Sequence, residues 1–184
     1  MTTVAEEGNR RKGDMTADEC EQCILDIKNW FVRSAGGGKT MEGASNVDIQ
    51  RLEKTIDCEL PKALKFMLYE ANGTLWFLEK EQMTCDTIAQ MVSKFEGKKH
   101  WRRGCIPFAG DEGMGMLVVD TTNTKAAVYE WDGDDGISDD PISLSLTSYL
   151  EDYRNRLLSG QCEFLEDCGV IEKMGTKSSS ASRK

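Results

Sequence analysis

The sequence predicts an α+β fold in which an antiparallel meander of strands packs against several helices. Three observations carry this. Apolar residues recur at helical spacing over about 17–33, 49–71, 84–95 and 145–158. Between residues 105 and 131 they gather instead into short runs rich in Val, Ile and aromatic residues, separated by short polar turns. The order is helices, strand, helix, meander, helix, not the strand–helix alternation that a parallel sheet requires.

Each element has a local cause. Thr16 followed by Glu19 forms a capping box, after which Cys20, Cys23, Ile24, Ile27, Trp30 and Phe31 fall on one face of a first helix over 17–33. Gly36, Gly37 and Gly38 end it and open a link to about Ser45. Ser45 with Asp48 caps a second helix whose inner face is Ile49, Leu52 and Ile56. Pro61 suits the first position of a third helix, with Leu64, Met67, Leu68 and Ala71 inward, and Asn72-Gly73 permits the chain to turn out of it. Residues 74–78 read as one strand, and 84–95 as a fourth helix with Ile88, Met91, Val92 and Phe95 inward. The meander follows over 105–109, 114–120 and 126–131, with 121–125 a hairpin loop. A last helix over 145–158 turns Leu146, Tyr149, Leu150, Tyr153 and Leu157 inward.

A set of short motifs punctuates this order: Leu52-Glu53, Leu60-Pro61, Asn72-Gly73, then Ile106-Pro107-Phe108-Ala109, the turn Asp111-Glu112-Gly113-Met114-Gly115, and a strand ending in Asp120. In this the chain resembles the SUKH superfamily of Smi/Knr-type cell-wall-synthesis regulators and bacterial immunity proteins. The family's Asp-Gly-x-Gly is shifted by one residue here. The resemblance spans about 47–158, the motif-bearing core of a single SUKH-like α+β domain expected over 16–172, in which an extra helix 17–33 precedes that core and flexible tails at 1–15 and 173–184 flank the whole. It also implies a non-enzymatic protein–protein interaction module. Members look like toxin-binding immunity proteins in bacteria, and like regulatory or scaffold subunits in eukaryotes, including one of a tubulin polyglutamylase complex.

Charge and composition limit the function from another side. The 23 basic and 32 acidic residues give a net charge of -9. Four cations, Lys173, Lys177, Arg183 and Lys184, follow the last acid, so residues 1–172 carry 23 − 4 = 19 basic against 32 acidic groups, or -13. Such a body repels phosphates and attracts a basic protein surface, so nucleic acid is not the expected partner. No apolar run approaches the ~20 residues of a membrane span, and the first residues lack the basic and apolar regions of a secretory signal. With seven cysteines, an odd number, the expectation is free thiols in the cytoplasm.

No residue set rises to a catalytic group, a cofactor site or a metal site, and none is expected. Cys20-x-x-Cys23 has half a zinc spacing, without a second half, on the apolar face of a helix. Gly36 to Thr40 ends like a phosphate-binding loop, but Arg33 stands where its first glycine belongs and a helix precedes it. The acidic segment 130–140 departs from a calcium loop at Asp135 and Pro141. His100, the one histidine, would have to serve any imidazole-assisted nucleophile. The candidate partner surfaces are instead the acidic segment, through Asp132, Asp134, Asp135, Asp139 and Asp140, and the basic segment Lys98, Lys99, Trp101, Arg102 and Arg103. The expected function is a regulatory or scaffold subunit. The alternatives are an immunity protein for a basic toxin, and a small enzyme or divalent-cation binder.

Overall fold

The computed structural model describes residues 15–34 and 41–173. The phosphate-loop-like residues 36–40 and nearly all of both expected tails lie outside them. Helix α1 spans Ala17–Ser34, α2 Asn46–Ile56, α3 Lys62–Glu70, α4 Cys85–Phe95 and α5 Leu146–Leu158. The strands are β1 Trp76–Phe77, β2 Lys80–Glu81, β3 Cys105–Asp111, β4 Gly115–Asp120, β5 Ala127–Asp132, β6 Gly136–Ile137, β7 Cys162–Leu165 and β8 Gly169–Glu172. All strand pairs are antiparallel.

Helices α1, α2, α4 and α5 begin where side chains can satisfy the free N–H groups of a first turn, whereas α3 starts after Pro61 without a side-chain cap. Thr16 and Glu19 cap each other's backbone at 2.9 and 3.2 Å, and Ser45 and Asp48 do the same for α2 at 3.0 and 3.2 Å. Thr84 Oγ1 accepts from Thr87 N and Ser145 Oγ from Ser148 N at the starts of α4 and α5. The inner face of α1, Cys20, Cys23, Ile24, Ile27 and Phe31, is buried as its spacing requires. Trp30 of α1, Ile56 of α2, Met91 of α4 and Tyr149 of α5, expected inward as well, lie at the core margin, only half-buried.

The central sheet runs β3-β4-β5-β6. Residues opposite one another share a face, so Met116 and Val118 stand with Trp131 and Tyr129 on one side, and Leu117 and Val119 with Glu130 and Val128 on the other. The first side meets α4, where Trp131 lies 4.6 Å from Phe95 between ring centroids. A bulge between Pro107 and Ala109 re-aims Phe108, whose ring sits 6.1 Å from Tyr149 of α5. The sheet is thus covered by helices on both faces. No helix among the described residues is long and apolar enough to cross a membrane.

The structure departs from sequence expectation at three places. Residues 74–78 are not one strand: Leu78 takes a left-handed backbone, φ 57°, and folds β1 back on β2. The acidic segment is not a plain loop, since Gly136 and Ile137 pair with Asp132 and Trp131 to make β6. Beyond α5, where no element was expected, β7 and β8 form a hairpin laid on the β1–β2 turn. Gly169 has φ 84°, and any Cβ there would meet Leu78 O at 2.2 Å, while Val170 N donates to that same oxygen at 3.0 Å. Phe164 fills the gap to α1, 5.7 Å from Phe31.

One buried amide joins the helical and sheet halves. Gln82, 3 % exposed, accepts through Oε1 from the N–H groups of Gly73, Thr74 and Leu75 at 3.2–3.3 Å, and its Nε2 donates to Ala71 O at 2.7 Å. Its own N–H donates to Leu75 O, and it bridges to Ala109 at the free edge of β3. Gln82→Leu strands these backbone groups in the core. A chemical-denaturation series should show a loss of about 2–3 kcal/mol or more, at about 1–3 kcal/mol per stranded buried group, with a lowered melting temperature.

Candidate functional site

The motif residues are occupied in holding backbone. Glu53 Oε1 accepts from Leu60 N at 2.9 Å just before α3, and pairs with Lys65 Nζ at 2.7 Å. Asn72 Oδ1 accepts from Cys85 N at 2.9 Å at the start of α4. Asp111 Oδ1 takes the N–H groups of Gly113 and Met114, closing the β3–β4 turn. Asp120 is buried and holds Thr122 through both its N–H and hydroxyl, with Arg102 Nη1 at 3.7 Å. Gly110 needs φ 94°, and a Cβ there would meet Gly115 O at 2.1 Å. These residues build shape.

The two charged segments of the sequence, some thirty residues apart, meet. Gly136, at the root of the acidic hairpin, has φ 82°, and the position its Cβ would take is 2.7 Å from His100 Cβ and 2.8 Å from His100 O. The basic segment therefore packs closely against β6 at His100, in the space a side chain at Gly136 would fill. Trp101 stacks on Phe95 at 5.5 Å and approaches Trp131 at 6.4 Å, anchoring the segment to the core.

The cations of the basic segment divide by role. Lys98 Nζ sits 5.6 Å from the Phe95 ring centroid and Arg102 4.7 Å from that of Tyr129, so both serve the fold in part. Lys99, His100 and Arg103 are exposed. On the hairpin, Asp132, Asp134, Asp135, Asp139 and Asp140 are exposed, and no ion pair among the described residues joins them to the basic segment. Asp132 Oδ1 accepts from Asp134 N at 2.8 Å and Asp135 N at 3.2 Å, and these backbone donors hold its carboxyl below the usual aspartate range. Asp132 thus shapes the turn, while Asp134 and Asp135 display charge.

Beside the hairpin lies a groove of about 790 Å³, which the sequence reading did not single out. Phe77, Leu117, Ile142 and Tyr149 form its apolar lining, and Glu79, Glu130 and Asp152 carry carboxylates to it. A second trough of about 620 Å³ lies next to it against the hairpin, with Lys80 and Glu130 lining both. Tyr149 and Tyr153 were legible as an i,i+4 pair on the inner face of α5. What hid the groove was its other wall, Glu79 and Lys80, which arrives only through the β1–β2 turn.

Among the described residues no cluster of three or more His, Cys, Asp and Glu side chains could hold a metal ion. Cys20 and Cys23 pack in the core, and all seven cysteines are free. Burial pushes the thiols of Cys23 and Cys105 up to about 12 and that of Cys85 to about 11. That is the reverse of an activated nucleophile.

The sequence model of the SMI1 / KNR4 family (SUKH-1) matches residues 43–152, more than half of the chain. No curated protein matches it.

Two outcomes check this geometry. Gly136→Ala pushes His100 away from β6, at a cost of about 1–3 kcal/mol for a strained position; tryptophan emission should move to the red as the neighbouring Trp101 gains water. Treatment of the native protein with a thiol reagent near neutral pH should modify the exposed Cys168 quickly. Peptide mapping by mass spectrometry should find Cys23, Cys85 and Cys105 labelled only after denaturation.

Proposed function

The chain belongs to the SMI1 / KNR4 family (SUKH-1), and from that premise we propose that it is a non-enzymatic protein-interaction module acting as a regulatory or scaffold subunit. Its binding face is the acidic hairpin, through Asp132, Asp134, Asp135, Asp139 and Asp140, together with Lys98, Lys99, Trp101, Arg102 and Arg103 alongside. The observation that carries this reading is the joint at Gly136 and His100, which sets two oppositely charged segments side by side on one rigid support. A surface with separated patches of both signs orients a partner as well as attracting it. The motif side chains are spent on backbone, and the buried thiols are held protonated, which supports binding over catalysis.

The net charge of -13 over residues 1–172 favours a partner that meets the hairpin with a basic surface. A basic toxin recognised by an immunity protein fits the same face, and the identity of the captured partner separates that reading from a regulatory one.

The test compares the tagged full chain with a charge-reversed variant, Asp134→Lys/Asp135→Lys/Asp139→Lys, in capture from native lysate. The expected result is a stoichiometric partner recovered with the original chain, reduced at least tenfold by the reversal and by added salt. Equal recovery on both chains, or no partner, overturns the reading.

A further inference from the structure

We propose that the groove beside the hairpin is a docking site for an extended basic peptide segment of a partner, with an apolar side chain seated on Tyr149 and Ile142 and Lys or Arg side chains running along the carboxylates toward the hairpin. This deepens the interaction reading above and rests on it.

The floor is rigid. Phe77 packs against Phe108, Tyr149 and Tyr153 at ring-centroid separations of 5.5, 6.0 and 5.2 Å, and Tyr149 and Tyr153 stack at 7° between planes. Tyr153 donates to Trp76 O at 2.6 Å, which locks that ring in place. Phe77 and Tyr153 are buried and hold Tyr149, whose half-buried ring offers contact area with little entropy left to lose. On the other lip Ile142 is 46 % exposed and the adjoining Leu144 75 % exposed, although Ile142 N is tied to Val128 O at 2.8 Å. An apolar side chain held out of the core by a fixed backbone is a place for a partner's apolar side chain.

The rim selects the sign of the occupant. Both cations at the groove already have carboxylate partners: Lys80 pairs with Glu79 at 2.6 Å and Arg156 with Glu172 at 2.5 Å. Glu130 has no ion pair among the described residues, and it lines both troughs. The second trough adds Asp132, Asp135 and Asp139. An acidic or phosphorylated peptide would meet repulsion along the whole path, and a basic one compensation. Two neighbouring troughs that share Lys80 and Glu130 suit an extended chain better than a compact ligand.

Part of the groove is built by residues outside the family match. Arg156, Ser159 and Gln161 line it from beyond the family match, which ends at residue 152. They are placed by the C-terminal hairpin, where Lys173 N donates to Gln161 O at 2.7 Å.

The probe is a positional-scanning library of ten-residue peptides, read by fluorescence polarisation against the full chain. The expected selection is Leu, Ile or Phe at one position with Lys or Arg a few residues away. Affinity for the selected peptide should fall at least tenfold in Ile142→Asp and in Glu130→Lys, both exposed positions, with melting temperature unchanged. Failure to select any peptide, selection of acidic residues, or full affinity in Ile142→Asp overturns the proposal. Binding lost only in Asp134→Lys/Asp140→Lys sinks the groove while leaving the hairpin as the interaction face. Binding that appears only after deletion of residues 174–184 makes the chain's own basic tail the occupant. A dimer that Ile142→Asp converts to monomer makes it a second copy. Either of those results also overturns the partner peptide.

Discussion

The buried amide of Gln82 is the interaction on which the rest of the architecture depends. The chain leaves α3 at Ala71 and must cross the core before β1, and there its backbone N–H groups have no helix or sheet to pair with. A single side chain supplies an acceptor for three of them and a donor for a carbonyl. Because Gln82 also bridges to β3, the turn, the β1–β2 hairpin and the central sheet keep one register. The β1–β2 hairpin in turn carries Glu79 and Lys80 to the groove, and Leu78 O to the C-terminal hairpin.

The same device recurs wherever the family's motifs fall. Glu53, Asn72, Asp111 and Asp120 each lend a side-chain oxygen to backbone N–H groups at the entry to a helix or the corner of a strand pair. Polar side chains used this way keep irregular connections satisfied without lengthening them. The recognisable part of the sequence is therefore a recipe for holding loops. The surfaces proposed to bind lie elsewhere, on the β5–β6 hairpin, the basic segment beside it and the groove between β5 and α5.

Charge acquires direction in the folded chain. As a count, the excess of acid describes a soluble surface and little else. Folded, the acids of the β5–β6 hairpin stand against a trough that lies next to an apolar groove. The basic segment is pinned beside them by Trp101 and by the missing side chain of Gly136. A glycine here is a joint between two loops, not merely a turn residue.

By itself the sequence determined the helices, their caps, the meander and the resemblance to the SUKH family. These signals are local: a cap is read within four residues, and a helical or strand face within one or two turns of its own periodicity. Tertiary structure alone decided that residues 74–81 double back, that Gly136 and Ile137 become a strand, and that 162–172 form a hairpin. Strands of two to four residues carry too little pattern to announce themselves, and they exist because a partner distant in sequence supplies their hydrogen bonds or cover. The meeting of His100 with Gly136, and the groove whose walls come from 77–80, from Leu117 and Glu130, from 142–143 and from the stretch between 149 and 161, have the same origin. They are contacts between segments far apart along the chain, set by how the elements pack and not by any spacing within one of them.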